Sequence, residues 1–121
     1  MAFSQECQLI LIQLERRLDW EYSKTLKEKL AKLVPQRHHL WIIDLAEVDF
    51  MDSSGFYTLI TGLSHIRSSG CRLVICNLEP PIRIIFELTQ MDLAFEVFES
   101  YNAVLTTINS QYSNIDQSLL L

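Results

Sequence analysis

The sequence predicts an α/β fold in which a mostly parallel sheet of four to five strands alternates with helices. Short apolar runs alternate along the chain with segments whose apolar residues recur at helical spacing. The connections between the apolar runs are too long for hairpins, so the chain must cross over between strands, which makes the strands parallel. At 121 residues and 49% hydrophobic content, the chain has the size and the apolar content of one domain.

The first part of the chain is predicted to form two buried strands with a helix between them. Residues 8–14 are rich in Leu and Ile and form the first strand. Asp19 is a candidate cap for the following helix, because an Asp carboxylate accepts hydrogen bonds from the free N–H groups of a first turn. Leucines at helical spacing place that helix over residues 20–34, and the lysines within it indicate a solvated face. The second strand covers residues 40–46.

The remaining chain continues the alternation. We predict a helix over residues 54–67, a strand over 71–78, a helix from Pro81, an edge strand over 94–99 and a short helix after Ser100. On the first of these helices, one stripe is apolar and is expected to be buried, whereas four other side chains lie off it: Tyr57, Thr58, Thr61 and His65. Residues 1–110 are therefore predicted to form a single domain, and residues 111–121 a flexible polar tail.

Composition and motifs argue against several classes of function. The net charge is −5 and no long basic run is present, which argues against direct nucleic-acid binding. Three cysteines without a Cys-x-x-Cys pair predict reduced, mostly buried thiols in a cytoplasmic protein, with no metal site. The start does not resemble a signal peptide, and no apolar run is long enough to cross a membrane.

Catalytic motifs are missing as well. The Gly-x-Ser-x-Gly elbow of serine hydrolases is absent around Ser53 and Ser54, and three glycines cannot build a dinucleotide or phosphate loop. A phosphoacceptor receiver domain would need an acidic pair after the first strand and a lysine after the fifth, and neither is present. We therefore expect neither an enzyme nor a bound cofactor.

The segment Asp52-Ser53-Ser54-Gly55 joins a predicted buried strand to a predicted helix. An Asp or Ser at such a junction accepts hydrogen bonds from free helix N–H groups. The N–H groups and the helix dipole also favour negative charge at this position. A serine here could therefore be phosphorylated without disrupting the fold.

In its context, this segment resembles the phosphorylation motif of the STAS domain. More narrowly, the chain is similar to the bacterial anti-sigma factor antagonists over about residues 8–99, which include Leu18-Asp19 and the segments at residues 72–78 and 81–89. In that family the first serine of the motif is the phosphoacceptor, so the resemblance implies Ser53. The chain departs from the family pattern mainly near the expected partner face: it has Arg16 and Gln90 where glycine is frequent, and Tyr57 where a small residue is frequent.

The resemblance implies a protein that works by partner switching and has no catalytic residues of its own. The unphosphorylated form would bind an anti-sigma factor that is also its serine kinase, of the histidine-kinase-like ATPase type. Phosphorylation would release this partner, and a PP2C-like phosphatase would reverse the modification. The protein is expected to be a monomer or a weak dimer. The expected partner-binding residues are Asp19, Asp52, Ser53, Ser54, Gly55, Tyr57, Thr58, Thr61 and His65.

Two other roles stay open at this point. One is a scaffold-type STAS subunit, whose function would be oligomerisation in a signalling assembly. The other is a small-ligand-binding STAS module that uses the loop mouth of the sheet.

Overall fold

The computed structural model describes residues 6–36, 39–111 and 114–120, in which strands and helices alternate as the sequence predicts. The strands are β1 (Glu6–Gln13), β2 (Arg17–Leu18), β3 (His39–Asp44), β4 (Phe50–Met51), β5 (Arg72–Cys76), β6 (Glu96–Phe98) and β7 (Asn114–Leu120). The helices are α1 (Trp20–Ala31), α2 (Ser53–Ser68), α3 (Pro80–Leu88), α4 (Met91–Ala94) and α5 (Tyr101–Gln111).

Five strands form one parallel sheet in the order β6-β5-β3-β1-β7. β3 lies at the centre, and its residues 39–44 pair with residues 8–13 of β1. The prediction of a mostly parallel sheet is thus confirmed, and β6 lies at an edge as expected. Parallel strands with helices on both faces are buried on both sides, which explains their nearly continuous apolar sequences.

Helices cover both faces of the sheet. Trp41 and Ile43 of β3 pack in the same cluster as Leu26 of α1, Leu59 of α2 and Phe86 of α3. The alternate residues of the strand belong to a second cluster on the opposite face, which α5 covers; its buried members are Leu9, Leu40, Ile42, Val74, Cys76, Val104 and Ile108. Each fully buried aliphatic side chain stabilises the fold by roughly 1.5–3 kcal/mol.

The C-terminal segment differs from the flexible tail that the sequence predicts. Residues Asn114–Leu120 form β7, which pairs in parallel with β1. Without β7, β1 would be an edge strand with unpaired N–H and C=O groups. Backbone pairing satisfies those groups whatever the side chains, so a polar sequence does not exclude a strand. The helix α5 supplies the long crossover that a parallel strand needs.

Two very short strands were not predicted, and they matter for the site. β2 and β4 pair in parallel, with Arg17 opposite Phe50 and Leu18 opposite Met51. This pair ties the loop before α1 to the loop before α2. Both helices therefore begin side by side, next to the carboxyl ends of β1 and β3.

Candidate functional site

Asp52 links the starts of the two helices. One carboxylate oxygen, Oδ1, accepts a hydrogen bond of 2.8 Å from the Gly55 N–H and so caps α2. The other, Oδ2, accepts one of 2.9 Å from the N–H of Trp20, the first residue of α1. The Asp52 N–H in turn donates to the Leu18 carbonyl at 3.1 Å. The junction is therefore a fixed unit built from both loops.

Asp19 caps α1, as the sequence predicts. Its Oδ1 accepts a hydrogen bond of 2.9 Å from the Tyr22 N–H. Its Oδ2 lies 3.7 Å from Nε of Arg17, and the Arg17 guanidinium lies 4.1 Å from the centroid of the Phe50 ring. The Asp19 side chain is 25% exposed, so it is held at the edge of the surface.

Gly55, which is also among the expected partner-binding residues, is buried. A Cβ atom built at this position would lie only 1.8 Å from the backbone oxygen of Leu18. The glycine therefore lets the start of α2 pack directly against the β2 backbone. Its role is to position the neighbouring serines, and it offers no side chain to a partner.

Ser53 and Ser54 occupy the first two positions of α2, and both are exposed. Neither hydroxyl makes a hydrogen bond to another residue in the described part of the chain. Asp52 already satisfies the Gly55 N–H, so the hydroxyls are not needed for capping. Both hydroxyls are therefore accessible for modification.

A groove of about 680 Å³ runs between α1 and α2 and starts at these serines. Six of the predicted partner-binding residues line it, including Tyr57, which is 72% exposed. Two lysines of α1, Lys24 and Lys27, line the opposite side. The six predicted residues are Ser53, Ser54, Tyr57, Thr58, Thr61 and His65.

The groove differs in charge from the protein as a whole. No Asp or Glu lines it, although the chain carries a net charge of −5. Lys24 and Lys27 are not among the residues predicted from the sequence, because lysines on an amphipathic helix usually face solvent. Trp20 is not among them either; it is 59% exposed and lies beneath the Lys24 ammonium, 4.6 Å from Nζ to the ring centroid. The sequence feature that could have identified Lys24 and Lys27 is their three-residue spacing, which places them on one face of α1.

Other reactive groups in the described residues serve the fold. The Asp44 carboxylate is buried, and its Oδ1 accepts hydrogen bonds from the Ala46 N–H at 2.9 Å and from the Asn77 amide at 3.0 Å. Burial, with a smaller contribution from Asp44, raises the pKa of the Cys76 thiol to about 12. Burial also raises the pKa of Cys71, on the opposite face of the sheet. These thiols are therefore unreactive at neutral pH, whereas the side chain of Cys7 lies outside the described residues.

The described residues contain neither a candidate metal centre nor a candidate membrane span. No group of three or more His, Cys, Asp or Glu side chains is placed to hold a metal ion. No helix within the described ranges is long and apolar enough to cross a membrane.

The chain resembles known proteins in sequence and in structure. It is 27% identical over 81 residues to BtrV of Bordetella bronchiseptica, named as an anti-sigma factor antagonist, which covers 67% of this chain and 70% of BtrV. It is 20% identical over 102 residues to the anti-sigma F factor antagonist of Paenibacillus polymyxa, which covers 83% of this chain and 86% of that protein.

The fold is shared with solved structures of other proteins. A sulfate transporter family protein from Wolinella succinogenes superposes with a TM-score of 0.73 at 13% identity, over 84% of this chain and 85% of that one. The STAS domain of a SulP transporter from Vibrio cholerae superposes with a TM-score of 0.66 at 18% identity, over 91% and 89%. The STAS domain model matches residues 3–104, so the chain belongs to the STAS domain family.

Proposed function

We propose that this protein is an anti-sigma factor antagonist that acts by partner switching, with Ser53 as its phosphoacceptor. The observation that carries this proposal is the exposed, unbonded Ser53 hydroxyl, directly after the Asp52 cap and at the head of an open groove. The two relatives named as anti-sigma factor antagonists support the same role. No residue of this chain is assigned a catalytic step.

In the unphosphorylated state, the groove and the junction form the binding surface for an anti-sigma factor of the histidine-kinase-like ATPase type, in the cytoplasm. Tyr57 is the expected anchor, because a large exposed aromatic side chain buries much area at low entropic cost when a partner covers it. Thr58, Thr61 and His65 extend the surface along α2. Asp19 and Asp52 hold the two helix starts in place and contribute carboxylates at its rim.

The bound partner also acts as the kinase. It transfers the γ-phosphoryl group of ATP to Oγ of Ser53, and ADP and the hydroxyl proton leave. The phosphate adds roughly −1.5 to −2 charges at pH 7. A dianion that is desolvated and unpaired in the centre of an interface costs several kcal/mol, and about 1.4 kcal/mol already changes affinity tenfold. The phosphorylated protein therefore dissociates, and a PP2C-like phosphatase restores the binding form.

The first experiment is a pull-down with wild type and Ser53→Asp, followed by mass spectrometry of the captured proteins. The proposal predicts that wild type captures a protein with a histidine-kinase-like ATPase domain and that Ser53→Asp does not. Incubation of the captured kinase with ATP should add one phosphate to wild type and to the matched control Ser54→Ala, and none to Ser53→Ala. Phosphate incorporated into Ser53→Ala would refute the assignment of the acceptor.

The groove also favours a second candidate function, a small-ligand-binding STAS module. A volume of about 680 Å³ lies in the range of small-molecule sites. Native mass spectrometry of the purified protein separates the two functions. A co-purifying ligand that Tyr57→Ala no longer retains would support ligand binding, whereas a bare chain mass would count against it.

A further inference from the structure

We propose that Lys24 and Lys27 bind the phosphate group of phosphorylated Ser53, so that α1 provides a phosphate site for α2 within the same molecule. This inference rests on the proposed phosphorylation of Ser53, and it adds a site that the family resemblance does not supply. The ligand is a phosphomonoester dianion attached to the chain itself.

The position of the lysines supports this site. Both line the same groove as Ser53 and Ser54, on the opposite wall. They are three residues apart and therefore project from the same face of α1. The Lys24 ammonium packs over the Trp20 ring, 4.6 Å from its centroid. The Trp20 N–H is bonded to Asp52, the residue before Ser53, so the residue against which Lys24 packs begins α1 beside the start of α2.

The charges of the groove favour an anion. Neither Lys24 nor Lys27 makes an ion pair with another described residue, since the ion pairs found there involve only arginines. No carboxylate lines the groove that could compete for them. An ammonium group is a compact charge with three donors, which suits a phosphate oxygen. Two such groups can balance most of the charge of one phosphate.

The other charged groups near Ser53 leave this role to the two lysines. The Asp52 carboxylate is committed to the N–H groups of Gly55 and Trp20, and its negative charge opposes a phosphate. His65 also lines the groove, but it lies 12 residues further along α2, about 18 Å at 1.5 Å per residue. Its contribution to the phosphate at Ser53 is therefore small.

Phosphate binding by these lysines has a consequence for the switch. A phosphate drawn across the groove covers the surface on which a partner would lie and removes two cations from that surface. Phosphorylation then closes the binding site even though the lysines balance most of the phosphate charge.

The test uses protein with phosphoserine incorporated at position 53 during translation, so that no kinase is needed. ³¹P NMR follows the titration of the phosphate in this protein, in its Lys24→Gln/Lys27→Gln variant and in the matched control Lys29→Gln/Lys32→Gln. All four lysines are exposed residues of α1 or of its C-terminal cap, and Lys29 and Lys32 do not line the groove. A thermal melt of each variant verifies the fold.

Nearby cations stabilise the dianion and so lower the second pKa of the phosphate, which is about 6 in free phosphoserine. If each ammonium binds the phosphate at roughly 5 Å in water, Coulomb's law predicts that removing both lysines raises this pKa by about one unit. The Lys29→Gln/Lys32→Gln control should leave the pKa unchanged. The proposal would be overturned if the phosphate pKa were the same with and without Lys24→Gln/Lys27→Gln, or if Lys29→Gln/Lys32→Gln raised it equally. The NMR result does not depend on any kinase. A failed pull-down would therefore refute the proposed function without deciding whether Lys24 and Lys27 bind the phosphate.

Discussion

Replacing Gly55 by alanine tests whether the junction between β2 and α2 is as tightly packed as the structure shows. The added Cβ would lie 1.8 Å from the Leu18 carbonyl oxygen and 2.5 Å from the Leu18 carbonyl carbon. Both are backbone atoms of β2, so no side-chain rotation can relieve the clash. The start of α2 must therefore move away from the loop that carries Asp19.

Two opposing effects determine how much Gly55→Ala lowers the free energy of unfolding. Overpacking in a well-packed region costs about 1–3 kcal/mol. Alanine has a higher helix propensity than glycine by at most about 1 kcal/mol, which offsets part of this cost. We expect Gly55→Ala to lower the free energy of unfolding by about 1–2 kcal/mol. For a domain of this size, that loss lowers Tm by about 4–8 °C.

Gly62→Ala is the matched control on the same helix. Its Cβ would lie 2.3 Å from Cδ1 of Leu30, which is the far end of a half-buried side chain. A change of the Leu30 rotamer relieves that contact, and the gain in helix propensity is then retained. We expect Gly62→Ala to be as stable as wild type or more stable by up to about 1 kcal/mol.

Thermal melts followed by circular dichroism measure both variants under identical conditions. The proposed phosphorylation of Ser53 provides a second readout, which should fall in Gly55→Ala because the serine is displaced. Tight packing of the junction is contradicted if Gly55→Ala has the Tm of wild type, or if Gly62→Ala loses as much stability as Gly55→Ala.

Three further predictions concern the junction and the groove. Asp52→Ala should lower the free energy of unfolding by about 2 kcal/mol, because a helix cap and a second hydrogen bond each contribute about 1 kcal/mol; urea denaturation measures this, and wild-type stability would contradict it. Ser53→Asp should change stability by about 1 kcal/mol or less, because the side chain is exposed at a helix N-terminus; a drop in Tm of many degrees would show that Ser53 is structural. Tyr57→Ala should weaken partner binding by about 1–3 kcal/mol in calorimetry at unchanged Tm, since the ring is 72% exposed; the opposite pattern would show that Tyr57 packs in the fold.

Much of the fold could be predicted from the sequence because burial leaves a periodic signal. The strands β1, β3 and β5 are buried on both faces and read as continuous apolar runs, and α2 buries Leu59, Leu63 and Ile66 at helical spacing. The caps at Asp19 and Asp52 were predictable as well, because their carboxylates accept hydrogen bonds from N–H groups of the following turn.

The features that escaped prediction depend on contacts between segments distant in the chain. β2 and β4 have two residues each, too few to show any alternation. The burial of Gly55 depends on the Leu18 backbone, 37 residues earlier in the numbering, and a glycine carries no signal of what it packs against. β7 is held by pairing with an otherwise open strand edge, which its own sequence does not encode.

The positive charge of the groove also depends on two segments that are distant in the chain. Lys24 and Lys27 are ordinary solvent-facing residues on α1 alone, and they gain a common role only when α2 places two serines on the opposite wall. The sequence of one helix cannot predict the charge of the groove, because the groove is formed by two helices together. The proposed role of Ser53, by contrast, rests on its local motif, which carries the resemblance.

The arrangement of hydrogen bonds at the junction suggests why phosphorylation would change the surface and leave the fold intact. Asp52 already accepts the hydrogen bonds that join α1 to α2, so a phosphate on Ser53 would not replace any contact on which the packing depends. The partners left for it are the first N–H groups of α2, water and the two lysines of the groove. The charge of the phosphate would therefore act where a partner would bind, and the packing of the core beneath Gly55 would not change. A switch built this way changes affinity through electrostatics at the surface, at little expense of stability.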